Sequence, residues 1–357
     1  MSASCNAEME DRSRPPPHAP PSPRTLVTGA TGFIGSVLVR QLVENGRAVR
    51  IFRRPSSQMD LLEREGVAGA VEHATGTLED ARSLRRALRG VRRVYHVAGL
   101  VGPGRRASRR TLRRVNVEGT ANVVNAALAA EPGPERLVFT SSIAALGPPA
   151  PDARGDGAPL VDETATWAHA GRSPRPYARS KRDAERQVHR GLAEGLTGAV
   201  IVNPALVFGL GRAGEGTRRL VDLARRGYLF AAPPGATCVA DVEDVAAGHR
   251  RAMRHGEAGR RYLLGSENVS WRALFATLAR AFGQKPPRFT LPPALLKAAG
   301  AAAGALSVLT RTAPLFSRQA ARGLIASYGY ANRRAREELG CRFRPFAETA
   351  QRLAAVS

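Results

Sequence analysis

The sequence predicts an α/β fold: a doubly wound parallel sheet with a smaller, interleaved C-terminal α/β lobe. Three observations carry this. A short β-branched run, Thr25 to Thr28, passes through glycines 29, 32 and 35 into an apolar helical pattern of Phe33, Ile34, Val37, Leu38 and Leu42. A buried strand turning sharply into a helix needs that order. Strand-like and helix-like stretches then alternate to about residue 208, and strands separated by helices pair in parallel. Beyond that point the rhythm breaks, and helical stretches alternate with only short strands.

The totals are compatible with this. A chain of 357 residues supports one large or two smaller domains, and 43% hydrophobic residues supply a substantial core. The division expected is a polar, proline-rich disordered leader over 1–23, a dinucleotide-binding domain over 24–208 and a substrate lobe over 209–357. The leader lacks the apolar centre of a signal peptide. No uninterrupted run of 18 apolar residues occurs, so no ordinary membrane span is predicted. Cys5, Cys238 and Cys341 lie too far apart in sequence for a zinc motif or a disulfide framework, and the seven histidines show no ligand pattern. A reducing, cytoplasmic setting fits.

The net charge of +24 comes almost wholly from arginine, since only Lys181, Lys285 and Lys297 are lysines. Pairs such as Arg105-Arg106, Arg109-Arg110 and Arg113-Arg114 could touch nucleic acid or anionic lipid. Aromatic residues are only 5%, and none is patterned for base stacking. A solvated arginine-rich surface with no specific nucleic-acid partner is therefore the expectation.

Each element can be justified in turn. In the first turn Gly29 permits the sharp bend, Gly32 lets a pyrophosphate approach the backbone, and Gly35 lets helix and strand pack closely. Free N–H groups at the helix start then favour an anion. The second strand, Ala48 to Arg53, ends in Arg53 and Arg54 where an acid would bind an adenosine ribose. Guanidinium groups there suit a 2′-phosphate, which predicts NADP in preference to NAD. A short helix follows at 61–65, a third strand at 70–74, and a helix over 81–88 capped by Asp80. The fourth strand, Val91 to Val97, opens into Ala98-Gly99, small residues that leave room for the cofactor. His96 is expected to pack beside that strand. A helix over 112–128 carries Asn116, and a fifth strand, Leu137 to Thr140, ends at Ser141-Ser142. The stretch 146–176 is long for a connection and predicts a substrate loop or lid. A helix over 177–192 and a sixth strand ending at Asn203-Pro204 complete the series. Farther on, helices are predicted near 216–226, 242–254, 271–282, 293–309 and 331–339, with strands near 237–240 and 261–264. The apolar stretch 295–309 is short and broken by Lys297, so a buried or interfacial helix is expected. Weak membrane-surface contact is the alternative.

The chemistry centres on Tyr177 and Lys181, four residues apart on one helical face. A phenol near pKa 10 holds its proton tightly, and a nearby ammonium is expected to lower that value. The pair could then exchange a proton with the oxygen of a hydroxyl or carbonyl carbon. Ser142 lies at a strand's C-terminal edge, where open α/β sheets bind ligands, and its hydroxyl can hold that oxygen.

With these pieces the sequence resembles the extended short-chain dehydrogenase/reductase family, within the NAD-dependent epimerase/dehydratase superfamily. The matching stretches are TGATGFIG, HVAG, NVEGT, FTSSIAALG, PYARSK and NPALVFG, followed by ADVEDVA, RYLLGSENVS and RAREELG. The likeness points to the branch of dihydroflavonol reductases and 3β-hydroxysteroid dehydrogenases, and to a Rossmann-type sheet. It implies that Ser142, Tyr177 and Lys181 form the catalytic triad, with Lys181 also bonding the nicotinamide ribose. It also implies that Gly29, Thr31, Gly32, Phe33, Ile34 and Gly35 hold the pyrophosphate. Arg53 would meet the 2′-phosphate, Ala98 and Gly99 would line the cofactor, and Asn203 and Pro204 would lie beside the nicotinamide. Asn116 either supports the water network or fixes a helix. Two departures stand out: Thr77, with Glu79 and Asp80 nearby, replaces the usual adenine-contacting aspartate, and Gly209-Leu210-Gly211 replaces Gly-Pro-Gly. The function implied is hydride transfer between NADP, or NAD, and a secondary alcohol or ketone, with an apolar small-molecule substrate. The alternatives are a nucleotide-sugar epimerase or dehydratase and a non-catalytic NADP sensor. Many relatives dimerise through helices matching 111–128 and 177–192, which implies a homodimer.

Overall fold

The computed structural model describes residues 24–101, 108–149, 159–167, 176–213, 215–310 and 318–356. The leader with Cys5, the Arg105-Arg106 pair and most of the expected lid lie outside the described residues.

In chain order the strands are β1 (Arg24–Thr28), β2 (Val49–Arg53), β3 (Glu72–Thr75), β4 (Val91–His96), β5 (Arg136–Thr140), β6 (Leu160–Val161) and β7 (Ala199–Pro204). They continue as β8 (Leu206–Phe208), β9 (Ala231–Ala232), β10 (Ala236–Asp241), β11 (Arg261–Leu264), β12 (Glu267–Ser270), β13 (Phe289–Thr290) and β14 (Gly329–Tyr330). The main helices are α1 (Phe33–Glu44), α2 (Asp60–Arg64), α3 (Ala81–Leu88), α4 (Arg109–Leu112), α5 (Gly119–Leu128), α6 (Pro176–Ala193), α7 (Arg218–Arg225) and α8 (Val242–His255). After them come α9 (Trp271–Ala281), α10 (Pro293–Thr310), α11 (Arg318–Ile325), α12 (Arg333–Glu337) and α13 (Phe346–Ala355).

Seven strands form one parallel sheet in the order β11-β7-β5-β4-β1-β2-β3. The order reverses between β1 and β4, which places the ligand crevice of such sheets outside their C-terminal ends. Side chains alternate across the sheet, as strand geometry requires. Val27, Ile51, Tyr95, Val138 and Val200 pack on one face with residues of α1 and α8. Leu26, Phe52, Val94, Leu137 and Ile201 pack on the other with residues of α3, α5 and α6. Both faces are thus apolar, which is why these strands read as continuous hydrophobic runs. A separate core joins β8 and β10 to α7, α9 and α13. No described helix is long and apolar enough to cross a membrane.

Two local differences from the sequence expectations have physical causes. The third strand begins at Glu72, because Ala68–Ala70 form a short 3-10 turn around Gly69. The helix expected over 112–128 is interrupted by a π-helical stretch, Arg113–Glu118. Such stretches insert one residue into a helix and often sit at functional sites; this one contains Asn116.

Candidate active site

The glycine turn follows β1 at the switch point. Gly29 has φ +73°, and a Cβ there would lie 2.5 Å from the Ala98 backbone nitrogen, so two strand ends can approach closely only at glycine. A Cβ on Gly35 would collide with the Gly29 carbonyl oxygen. At Gly32 the only near atom would be that same oxygen, at 3.2 Å, so the side-chain space there is open. Gly32 is the N-cap of α1, and no side chain caps the helix. An uncapped helix start beside open space suits the pyrophosphate of a dinucleotide. Gly35→Ala should therefore unfold the turn, not merely weaken binding. A melting temperature about 4 °C or more below that of the unsubstituted chain would agree with a cost of about 3 kcal/mol or more.

The turn is braced from the C-terminal half. Arg212 donates to the Thr31 carbonyl at 3.0 Å and pairs with Asp60 at 2.6 Å. The Phe33 ring lies under Gly209 and Gly211, where a Cβ would come within 2.9 Å and 3.5 Å of it. The Gly-Leu-Gly departure thus stands directly over the dinucleotide turn. Ile34 continues the first turn of α1. Arg53, half-buried at the end of β2, donates to His73 Nδ1 at 3.1 Å and to the Arg54 carbonyl at 3.3 Å. Asp80 caps α3 by accepting from the Arg82 N–H at 2.9 Å.

Ser142, Tyr177 and Lys181 come together at the C-terminal edge of β5. Ser142 caps a short 3-10 turn, Ile143–Ala145, and its hydroxyl hydrogen-bonds the Tyr177 phenol. Lys181 is 3% exposed and donates through Nζ to the Thr140 carbonyl at 2.8 Å, with the Phe139 ring 5.2 Å away. Burial pushes its ammonium down to about 8, with Glu185 opposing. The Tyr177 phenol differs from the sequence expectation. Burial raises its pKa, and the Ser142 hydrogen bond pulls it back only in part. The physical reason is desolvation of a phenolate, and the Lys181 ammonium is engaged with a backbone carbonyl.

A polar network holds these groups. Asn116 accepts from the Leu100 N–H at 2.7 Å and donates to the Leu100 carbonyl and to Ser180 Oγ. Ser180 in turn donates to the Tyr177 carbonyl at 2.8 Å. Asn116 therefore ties the Ala98-Gly99-Leu100 stretch to α6. A Cβ on Gly99 would lie 2.9 Å from Lys181 Nζ, so the small residue expected there preserves the position of the ammonium. Asn203, fully buried at the end of β7, donates to the Ser142 carbonyl at 3.0 Å and to Glu185 at 2.8 Å; Pro204 is buried beside it. Ser141 Oγ and Asn203 Oδ1 are buried without a partner among the described residues, as polar atoms at ligand sites often are.

Two histidines complete the network, and neither reaches the open edge. His96 is hydrogen-bonded to Thr28 at 2.7 Å and to Thr120 at 3.0 Å. Thr120 gives its proton to the Asn116 carbonyl and Thr28 accepts from Ala98, so the ring is neutral with its proton on Nε2. His96 thus packs beside β4, as expected, and Thr28 is part of its support. His249 on α8 bonds the Val245 carbonyl through Nδ1 and Thr140 through Nε2.

Glu185, Arg212 and His249 were not singled out from sequence. Glu185 carried a signal, since it continues the 177–181 helical face by one more turn. Arg212 and His249 carried none, because each acts across more than a hundred residues.

A parallel sheet with a glycine turn at its switch point and an uncapped helix beyond it defines a Rossmann-type protein. The chain belongs to the NAD-dependent epimerase/dehydratase family, whose model matches residues 25–265. It is 35% identical to sterol demethylase protein B of Methylococcus capsulatus over 320 residues, covering 88% of this chain and 92% of that protein. A putative dihydroflavonol 4-reductase of Synechocystis is 34% identical over 276 residues, covering 75% of each. Among solved structures, that of gox2253 superposes with a TM-score of 0.78 at 33% identity, covering 94% of this chain and 97% of its own. The family likeness and the dihydroflavonol-reductase side of it agree with the resemblance read from the motifs.

Proposed function

We propose that the chain is an NAD(P)-dependent oxidoreductase acting between a secondary alcohol and an apolar ketone, with Tyr177 as general acid/base. The observation that carries this is the Tyr177–Ser142 hydrogen bond at the ligand edge of the sheet, with the buried Lys181 one helical turn away. When bound, the dinucleotide supplies or accepts a hydride at the nicotinamide. The turn at Gly29, Thr31, Gly32, Phe33, Ile34 and Gly35 would hold its pyrophosphate, Ala98 and Gly99 would line it, and Asn203 and Pro204 would flank the nicotinamide.

The protein's own groups then do the proton work. Ser142 orients the substrate oxygen, and the Tyr177 phenol, kept protonated by burial, donates to that oxygen as charge develops on it. Lys181 keeps the site positive below about pH 8. A neutral phenol is the form needed for reduction, so that direction is favoured. The relatives named for a sterol and for a dihydroflavonol support a polycyclic, largely apolar substrate. Tyr228, Phe230, Phe289 and Leu295 are exposed on the lobe and support an apolar ligand or weak membrane-surface contact. Mixing the chain with NADPH and a panel of cyclic ketones should consume NADPH; no loss of its absorbance with any of them would defeat the proposal. The family's name favours one other reading, an epimerase or dehydratase, which would instead retain tightly bound NAD through turnover.

NADP is the cofactor proposed, on the strength of Arg53 and exposed Arg54 at the end of β2. Arg53→Ala should weaken NADPH about tenfold, the worth of one charged hydrogen bond, and leave NADH unchanged. Equal affinities before and after substitution would remove the argument for the phosphate.

A further inference from the structure

A second cavity, of about 470 Å³, opens at the opposite end of the sheet. It lies between the C-terminal ends of α1 and α8, under the first residues of β1 and β5. Thr25, in its lining, is four residues before Gly29 along β1, so the cavity is roughly 13 Å from the glycine turn.

Its lining is dominated by guanidinium groups from Arg47, Arg93, Arg136, Arg250 and Arg254. None of the five makes an ion pair with a carboxylate among the described residues, although Arg40, Arg50 and many other arginines do. Arg250 bonds only neutral amide oxygens, those of Gln41 at 3.2 Å and Asn45 at 3.3 Å. The one carboxylate in the lining, Glu135, is already paired with Arg92, which is not among the lining residues. Two buried polar atoms also lack a partner among the described residues, Thr25 Oγ1 and Arg136 Nε. Thr25 is 1% exposed.

The helix ends do not account for this. Each helix C-terminus carries about half a negative charge, so the two together offset about one guanidinium of the five. The remaining positive charges repel one another across a partly desolvated space, and an anion between them relieves that repulsion. Arginine forks match phosphate oxygens two at a time. The Tyr95 phenol, which burial keeps protonated, lines the same cavity as a further donor. The volume falls within the range of small-ligand sites. A concave cavity with no exposed aromatic ring favours a small molecule over a nucleic-acid strand.

We propose that this cavity is a binding site for a small molecule carrying two or more phosphate groups, separate from the dinucleotide turn. Isothermal titration of the full chain with inorganic tripolyphosphate in 0.15 M NaCl should reveal a single site of micromolar affinity. Arg47→Gln/Arg254→Gln, at two exposed positions, should weaken it about thirtyfold. Arg93→Gln should weaken it as well. Arg110→Gln, an exposed arginine on α4, should have no effect, and Gly32→Asp, which places a carboxylate at the dinucleotide turn, should leave the site intact. The proposal fails if Arg110→Gln weakens binding equally, since general surface charge then explains it. It also fails if Gly32→Asp alone abolishes binding, or if a short single-stranded RNA binds through these arginines while tripolyphosphate does not.

Discussion

Tyr177→Phe is expected to lower kcat for NADPH-linked ketone reduction by about three orders of magnitude, with NADPH affinity changed less than about twofold. The substitution removes one oxygen, which bonds Ser142 and is the only group proposed to carry the transferred proton. The ring remains to fill its place on α6, so the fold and the dinucleotide turn are undisturbed. The pH profile adds an independent reading. Lys181 loses its charge near pH 8, and the reductive rate should fall above that value as the site loses its one buried ammonium. A phenylalanine variant retaining more than a tenth of the activity would assign the proton to another group.

Below pH 6.5 the folded chain should lose stability steeply, by roughly 4 kcal/mol between pH 7 and pH 5. Burial holds His96 down at about 3 and His249 at about 4, both from 6.5. In the unfolded chain both rings take up protons as the pH falls through 6.5, while in the folded chain they stay neutral until about 4 and 3. The unfolded state therefore binds two more protons across that window, and stability falls with pH there. Desolvation is the main reason the folded rings resist, and the Lys181 ammonium adds to it at His96. His96 sits between two threonines, and its second nitrogen must accept a proton from Thr28. At His249 one ring nitrogen faces Thr140, while the bond to the Val245 carbonyl favours the charged form and is outweighed by burial. Urea unfolding at pH 7 and at pH 5 checks the loss. His249→Gln keeps a side-chain partner for Thr140 and should remove about half of it; an undiminished slope would place the protons elsewhere.

The sheet was legible because its signals are local. Apolar runs, glycine punctuation and strand-to-helix alternation place six strands of the central sheet in their order, and the seventh was foreseen as a short strand near 261–264. The Tyr177–Lys181 pair was legible for the same reason, since one helical turn separates them. What could not be read was electrostatics and long-range contact. The sequence suggests that an ammonium near a phenol lowers its pKa, but it cannot show that burial outweighs this or that the ammonium faces Thr140. Arg212 bracing Thr31 and the five arginines around one cavity depend on segments far apart in the chain. The π-helical stretch at Asn116 has no compositional mark either, because one inserted residue changes the helical period too little to notice.

The seventh strand bears on how the molecule is made. β11 is supplied by residues 261–264, and α8, which covers one face of the sheet, ends at residue 255. On a growing chain, everything up to β7 is synthesised before these two pieces exist. At 5–20 residues per second, the roughly sixty intervening residues take several seconds. For that interval β7 presents an unpaired edge, and Val27, Val138 and Val200 lack part of their cover. Nascent chains in that interval expose an unpaired strand edge together with apolar surface, the two features that favour aggregation.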